Sequence, residues 1–143
     1  MTTIAWDGKT LAADKMASSG NAKWGQCTKI FRTRAGLVGF AGSADIAMAL
    51  LHWVENGCEP SEFPTINAEE NDTLAMVISP TGTVTIYERT PHPQILHNEF
   101  VAIGSGRDFA MAAMHLGNSA EKAVEVAAAL DAYTGNGVDA LTL

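Results

Sequence analysis

A threonine stands at position 2, directly behind the initiator methionine. With Met1 removed, Thr2 would carry both a hydroxyl nucleophile and a free α-amine able to accept its proton, so one residue could supply two roles in acyl transfer. Such an amine has an unperturbed pKa of about 7.7 to 8, and a nearby ammonium would leave more of it as free base at neutral pH. Lys29 is the candidate ammonium, and Asp14 is the candidate carboxylate that would hold the lysine and offset its charge. A tetrahedral intermediate also needs backbone N–H groups aimed at its oxygen. A glycine-containing turn that enters a helix offers them without steric obstruction, which points to Gly42 and Ser43.

Taken singly, each of these residues has an ordinary explanation. Thr2 is a small residue after an initiator methionine, and Asp14 and Lys29 are charges beside strands, which usually face water. Gly42 suits a strand-to-helix turn, and Ser105, inside Gly104-Ser105-Gly106, suits a helix N-cap. Only the combination carries chemistry.

The elements that must position these groups are legible from periodicity. Thr2 to Trp6 and Thr10 to Ala13 flank Asp7-Gly8, the pattern of a hairpin with a tight turn, so the nucleophile would begin inside a sheet and be ordered. Cys27 to Thr33 and Leu37 to Ala41 read as a second strand pair around Ala35-Gly36. From Ser43 the period becomes helical, with Ile46, Ala47, Leu50, Leu51 and Val54 on one face and a stop before Gly57. Cys58 to Asp72, with Pro60, Pro64 and several acidic residues, predicts an irregular surface loop. Strands are predicted at Leu74 to Ile78, Thr83 to Tyr87 and Phe100 to Ile103, and helices at Asp108 to Leu116 and Ala120 to Tyr133, the latter with a capping-box-like Asn118 and Glu121. Strands and helices are segregated without βαβ alternation, which predicts α+β layering with helices on antiparallel sheets.

Composition bounds the rest. With 143 residues, 47% of them hydrophobic, the chain suits one domain spanning 1–143 with a sizeable core. A net charge of −7 and scattered basic residues argue against nucleic acid or a membrane surface as partner. No apolar run reaches the roughly 18 residues that span a bilayer, so a cytoplasmic location is expected. Cys27 and Cys58 lack metal spacing and read as buried, reduced thiols, and His52, His92, His97 and His115 read as structural.

Read in order, the motifs resemble the proteasome β-subunit family, and most closely the HslV-type peptidases, in a compact version. Thr2-Thr3-Ile4 matches the mature N-terminus, and Ala12-Ala13-Asp14 with Ser18 resembles the acid motif with its following hydroxyl residue. Lys29-Ile30 looks like the lysine strand, and Gly39-Phe40-Ala41-Gly42-Ser43-Ala44-Asp45 looks like the turn into the first helix. Ala102-Ile103-Gly104-Ser105-Gly106 and Asp131-Ala132-Tyr133-Thr134-Gly135 are similar to the family's serine-glycine motif and to its Asp-x-x-Ser-Gly pattern. The resemblance implies a four-layer α-β-β-α sandwich and a threonine-type peptidase. In it Lys29 lowers the Thr2 amine pKa and Asp14 orients Lys29. Ser105, Asp131 and Thr134 support the amine, and Ser18 binds substrate backbone as an added strand. It further implies no required cofactor, a structural cation near the C-terminal loop, homo-oligomeric assembly, unfolded protein as substrate and an AAA+ ATPase unfoldase as partner. The sequence departs from the pattern in a shorter first hairpin, one glycine fewer at Gly42-Ser43, and an acidic loop where the family has its second helix. The oxyanion donor is therefore open between the Gly42 and Ser43 amides.

Three rivals share these residues: a catalytically silent assembly subunit, a stand-alone amidase acting on a small amide, and a nucleotide-binding module suggested by Gly104-Ser105-Gly106. A dinucleotide fingerprint would need a third glycine where Phe109 stands, and no P-loop lysine follows.

Overall fold

A computed structural model describes residues 1–67 and 72–143. Strand β1 (Thr3–Trp6) turns at Asp7-Gly8 into β2 (Thr10–Asp14). The Asp7 carboxylate holds this turn, accepting from the amides of Lys9 and Thr10 at 3.0 and 2.8 Å. These strands lie at the centre of an antiparallel sheet closed on one side by β10 (Val101–Gly104) and on the other by β11 (Val138–Thr142). A second antiparallel sheet runs in the order β5 (Ile30–Thr33), β6 (Gly36–Ala41), β7 (Leu74–Ile78), β8 (Val84–Tyr87) and β9 (Gln94–Leu96). Between β2 and β5 the chain forms a separate two-stranded ribbon, β3 (Met16–Ser19) and β4 (Ala22–Gln26).

Side-chain alternation decides the layers. Ile4, Trp6, Leu11 and Ala13 of the first sheet meet Ile30, Leu37, Met76 and Ile78 of the second in the central core. The intervening Ala5, Ala12 and Ala102 face α2 (Arg107–His115) and α3 (Ala120–Leu130), whose own small residues Ala110, Ala113, Ala120 and Ala123 allow close approach. On the opposite side Val38, Phe40, Ala75 and Val77 receive Leu50, Trp53 and Val54 of α1 (Ala44–Glu55). The result is the α-β-β-α sandwich that the resemblance implied. At Gly39 the two sheets approach tightly enough that a Cβ would fall 2.9 Å from Ile4 Cγ2.

The structure corrects the sequence reading at several elements. The segment from Cys58 is more than a surface loop. A short 3-10 turn at Pro60–Glu62 follows α1, the Trp53 indole donates to the Glu59 carbonyl at 2.7 Å, and Phe63 stacks edge-on against Trp53 with ring centroids 4.8 Å apart. Phe63 and Ile66 thus cover part of the apolar face of α1, and no α-helix occurs between Glu55 and Leu74 among the described residues. The last part of that loop, 68–71, lies outside the described residues. Helix α3 stops at Leu130, short of Tyr133, because Asp131 adopts an extended conformation that sends its carboxylate back toward Ser105. The N-cap of α3 is Ser119, which accepts from the Lys122 amide, while Asn118 instead donates to the Ala113 carbonyl. Asp7 completes that helix start by accepting from the Ala120 amide at 2.9 Å. Cys27 is exposed, contrary to expectation, and Cys58 is half-buried, with burial pushing its thiol up.

Candidate active site

Thr2 is 2% exposed and Asp14 is fully buried at the end of β2, one strand over. Their side chains meet, the Thr2 hydroxyl donating to Asp14 Oδ1 at 3.1 Å. Lys29, directly before β5, reaches across the sandwich and donates to the same oxygen at 2.9 Å while remaining 8% exposed. The Thr3 amide also donates to Oδ1 at 2.9 Å, and Oδ2 accepts from the Met16 and Gly135 amides at 3.2 and 3.1 Å. A buried carboxylate is tolerated only when paired and hydrogen-bonded. Asp14 meets both conditions, and its donors tie β1, β3 and the C-terminal loop to one point.

A second network holds the main chain of Thr2. Its nitrogen donates to Ser105 Oγ at 3.2 Å, and Ser105 donates to Asp131 Oδ2 at 2.6 Å. Thr134 donates to the same oxygen at 2.6 Å and shares a 2.7 Å hydrogen bond with Thr3. Burial pushes the Asp131 carboxyl up, but donation from the Ser105 and Thr134 hydroxyls and the Tyr133 amide, together with the positive chain terminus, holds it below the ordinary carboxylate value. Asp131 thus receives donors on both of its oxygens, Ser105 and Thr134 on Oδ2 and the Tyr133 amide on Oδ1. Among the described residues no group of three or more His, Cys, Asp and Glu gathers. Two glycines make the arrangement sterically feasible. Gly104 has φ +99°, and a Cβ there would lie 2.0 Å from the Thr2 carbonyl oxygen; a Cβ at Gly106 would lie 2.0 Å from Thr3 Oγ1. Ser105, which could have capped α2, is used at Thr2 instead, and Gly106 takes the N-cap position without a side-chain cap.

Two cavities have Thr2 in their walls. One of about 460 Å³ is mainly apolar, with Met16, Trp24, Phe31, Phe40 and Met48 in its walls and Ser18 and Cys27 among its polar groups. The other, about 410 Å³, is charged, with Glu88, Arg89 and Arg107 beside Gly42, Thr73 and Ser105. Sequence reasoning missed Thr73 and Trp24. Thr73 precedes a strand and has no motif of its own, and Trp24 sits on a ribbon whose outer strand is exposed throughout, so no apolar alternation marks it.

The fold has counterparts among solved structures. BPH of Thiobacillus denitrificans in complex with epoxomicin superposes with a TM-score of 0.74 at 20% identity, covering 99% of this chain and 97% of that one. A second structure of BPH from Thiobacillus denitrificans gives 0.74 at 21%, covering 99% and 96%. The eukaryotic HslV from Trypanosoma brucei gives 0.71 at 23%, covering 98% and 97%. The fold is HslV-like. No family model matches the sequence, and no curated protein sequence does either. Within this HslV-like fold, Thr2, Asp14, Lys29, Ser105, Asp131 and Thr134 converge on one point; Gly42 and Ser43 stand at its edge, and Ser18 lies on the wall of the apolar cavity. The Met1 carbonyl accepts from Lys29 Nζ at 3.4 Å. No helix of the described residues is long and apolar enough to cross a membrane.

Proposed function

We propose that the protein is a threonine-type peptidase whose nucleophile is Thr2 after Met1 is removed. The observation that carries this reading is the buried Thr2–Asp14–Lys29 cluster at the start of the chain, with Thr2 in the walls of two open cavities. Once Met1 is gone, the Thr2 nitrogen becomes an amine. The Thr2 hydroxyl attacks the substrate carbonyl carbon and its proton passes to that amine. Collapse of the tetrahedral intermediate breaks the C–N bond, the amine returns the proton to the leaving nitrogen, and an ester remains on Thr2. A water molecule, deprotonated by the same amine, then hydrolyses the ester and restores Thr2.

Lys29 contributes a fixed positive charge beside the amine, and Asp14 holds it there. Ser105, supported by Asp131 and Thr134, orients the amine, because the nitrogen already donates to Ser105. Ser18, on β3, lies where an extended substrate could add to the ribbon edge as a strand. The apolar cavity supports an acyl-side preference for a large hydrophobic residue. Homo-oligomeric assembly, unfolded protein as substrate and an AAA+ unfoldase as partner belong to the same proposal, motivated by the HslV-like fold.

The deciding measurement is intact mass before and after incubation with a peptide epoxyketone or vinyl sulfone. Loss of Met1 and a single adduct, both present in the wild type and the adduct absent in Thr2→Ala, is the expected result. Retention of Met1, or a free Thr2 that takes no label, would overturn the peptidase reading in favour of a silent assembly subunit.

A further inference from the structure

The turn into α1 contains two amides that could serve the oxyanion, and the structure separates them. The Ser43 amide donates to Thr73 Oγ1 at 3.0 Å. Thr73 is 2% exposed and directly precedes β7, where the pairing of Ala41 with Leu74 sets it opposite Gly42. The contact is tight on the glycine side too. Gly42 has φ +123°, and a Cβ there would fall 2.6 Å from both the Cα and the Oγ1 of Thr73. Gly42 and Thr73 also share a wall of the charged cavity with Thr2. Ser43 cannot turn its amide to a substrate without giving up the Thr73 hydroxyl, whereas Gly42 precedes that anchor and lines both cavities beside Thr2.

We infer that Thr73 is a positioning residue for the reaction: it fixes the Ser43 amide, so that the Gly42 amide is the donor presented to the oxyanion. This rests on reading Thr2 as the nucleophile. Thr73 touches neither substrate nor nucleophile in this role and acts only through the turn. Asp45 strengthens the same turn, since its carboxylate accepts from the Ser43 hydroxyl and the Ile46 amide at the positive end of α1.

The test compares Thr73→Val, which keeps the shape and removes the acceptor, with Thr73→Ser, which restores the hydroxyl. Loss of a whole oxyanion donor lowers kcat by about 100- to 1000-fold, so a displaced donor is expected to lower it by about 10-fold or more in the valine variant. KM for a fluorogenic peptide should stay nearly constant, and the inhibition constant of a peptide aldehyde should rise in step with the fall in kcat/KM. The aldehyde forms a hemiacetal with Thr2 whose oxygen occupies the oxyanion position, so it reports donor placement where ground-state binding does not. The serine variant should recover most of the loss. If the valine variant keeps kcat and aldehyde affinity within about 2-fold of the wild type, Thr73 does not position the donor. Amide hydrogen exchange at Ser43 gives a readout independent of turnover: it should accelerate in the valine variant and return in the serine variant, and unchanged exchange overturns the inference. A wild type that takes no epoxyketone label would instead sink the peptidase reading, a result these exchange data do not depend on.

Discussion

Two hydrogen-bond networks grip Thr2, and they differ in almost every physical respect. The Asp14–Lys29 network is dry, is built around a buried ion pair at 2.9 Å, and engages the hydroxyl. The Ser105–Asp131–Thr134 network is open to solvent on one side, is built from hydroxyls around a single carboxylate, and engages the nitrogen. A buried pair of charges resists every departure from its geometry, because either partner alone is strongly disfavoured in a low-dielectric interior. A half-exposed hydroxyl network can exchange partners with water, so it orients without clamping. The lesson is a division of labour in which one network fixes where the Thr2 hydroxyl is and the other how its nitrogen points.

The largest effect should come from breaking the dry side. Lys29→Met leaves Asp14 buried without its cation and should lower stability by about 3–5 kcal/mol in urea unfolding, as well as abolishing labelling of Thr2. A loss under 1 kcal/mol would show that the amide donors around Asp14 suffice without the lysine. Next comes Gly106→Ala, which pushes a methyl against Thr3 Oγ1 at the seam between the networks and should destabilise by about 1–3 kcal/mol. Unchanged stability there would mean the seam can open freely.

Asp131→Asn breaks the wet side and should alter folding by only about 1 kcal/mol, because solvent screens this carboxylate, while slowing turnover. Its pH signature follows from the direction of its shift. A carboxyl held below its ordinary value of 3.8 stabilises the fold above that value, and the contribution is lost as pH falls toward the folded-state value. The asparagine variant should therefore show a shallower acid limb in stability below about pH 4. An identical acid limb would remove Asp131 from the acid response. The smallest effect on folding should be that of Trp24→Ala, within about 0.5 kcal/mol for a side chain 81% exposed. Its consequence should fall on KM for peptides with bulky apolar acyl-side residues, and equal KM values for such peptides in variant and wild type would exclude Trp24 from the cavity's selectivity.

The two networks also differed in legibility. Thr2, Asp14 and Lys29 could be paired on chemical grounds alone, since an N-terminal nucleophile calls for a cation and the cation calls for a carboxylate. Ser105, Asp131 and Thr134 had only short motifs to mark them, and their union depends on α3 ending at Leu130. The predicted hairpins at Asp7-Gly8 and Ala35-Gly36 and all three helices are present because buried faces leave a period in the sequence. Strands β3, β4, β9 and β11 escaped, since ribbon and edge strands bury little and so carry weak alternation. Phe63 and Ile66 escaped for the complementary reason: a cover made of irregular backbone has no period at all.

By itself, then, the sequence determined the chemical types available at the site, their order along the chain and the alternation that sorts side chains into core and helix-facing layers. These are local properties, written in residue identity and spacing. Tertiary structure alone decided that Asp14 gathers donors from both ends of the chain, that Thr73 claims the Ser43 amide, and that Thr2 lines both an apolar cavity and a charged one. Each of those depends on the directions of hydrogen bonds and on the approach of distant backbone, and neither is encoded in any short window of residues.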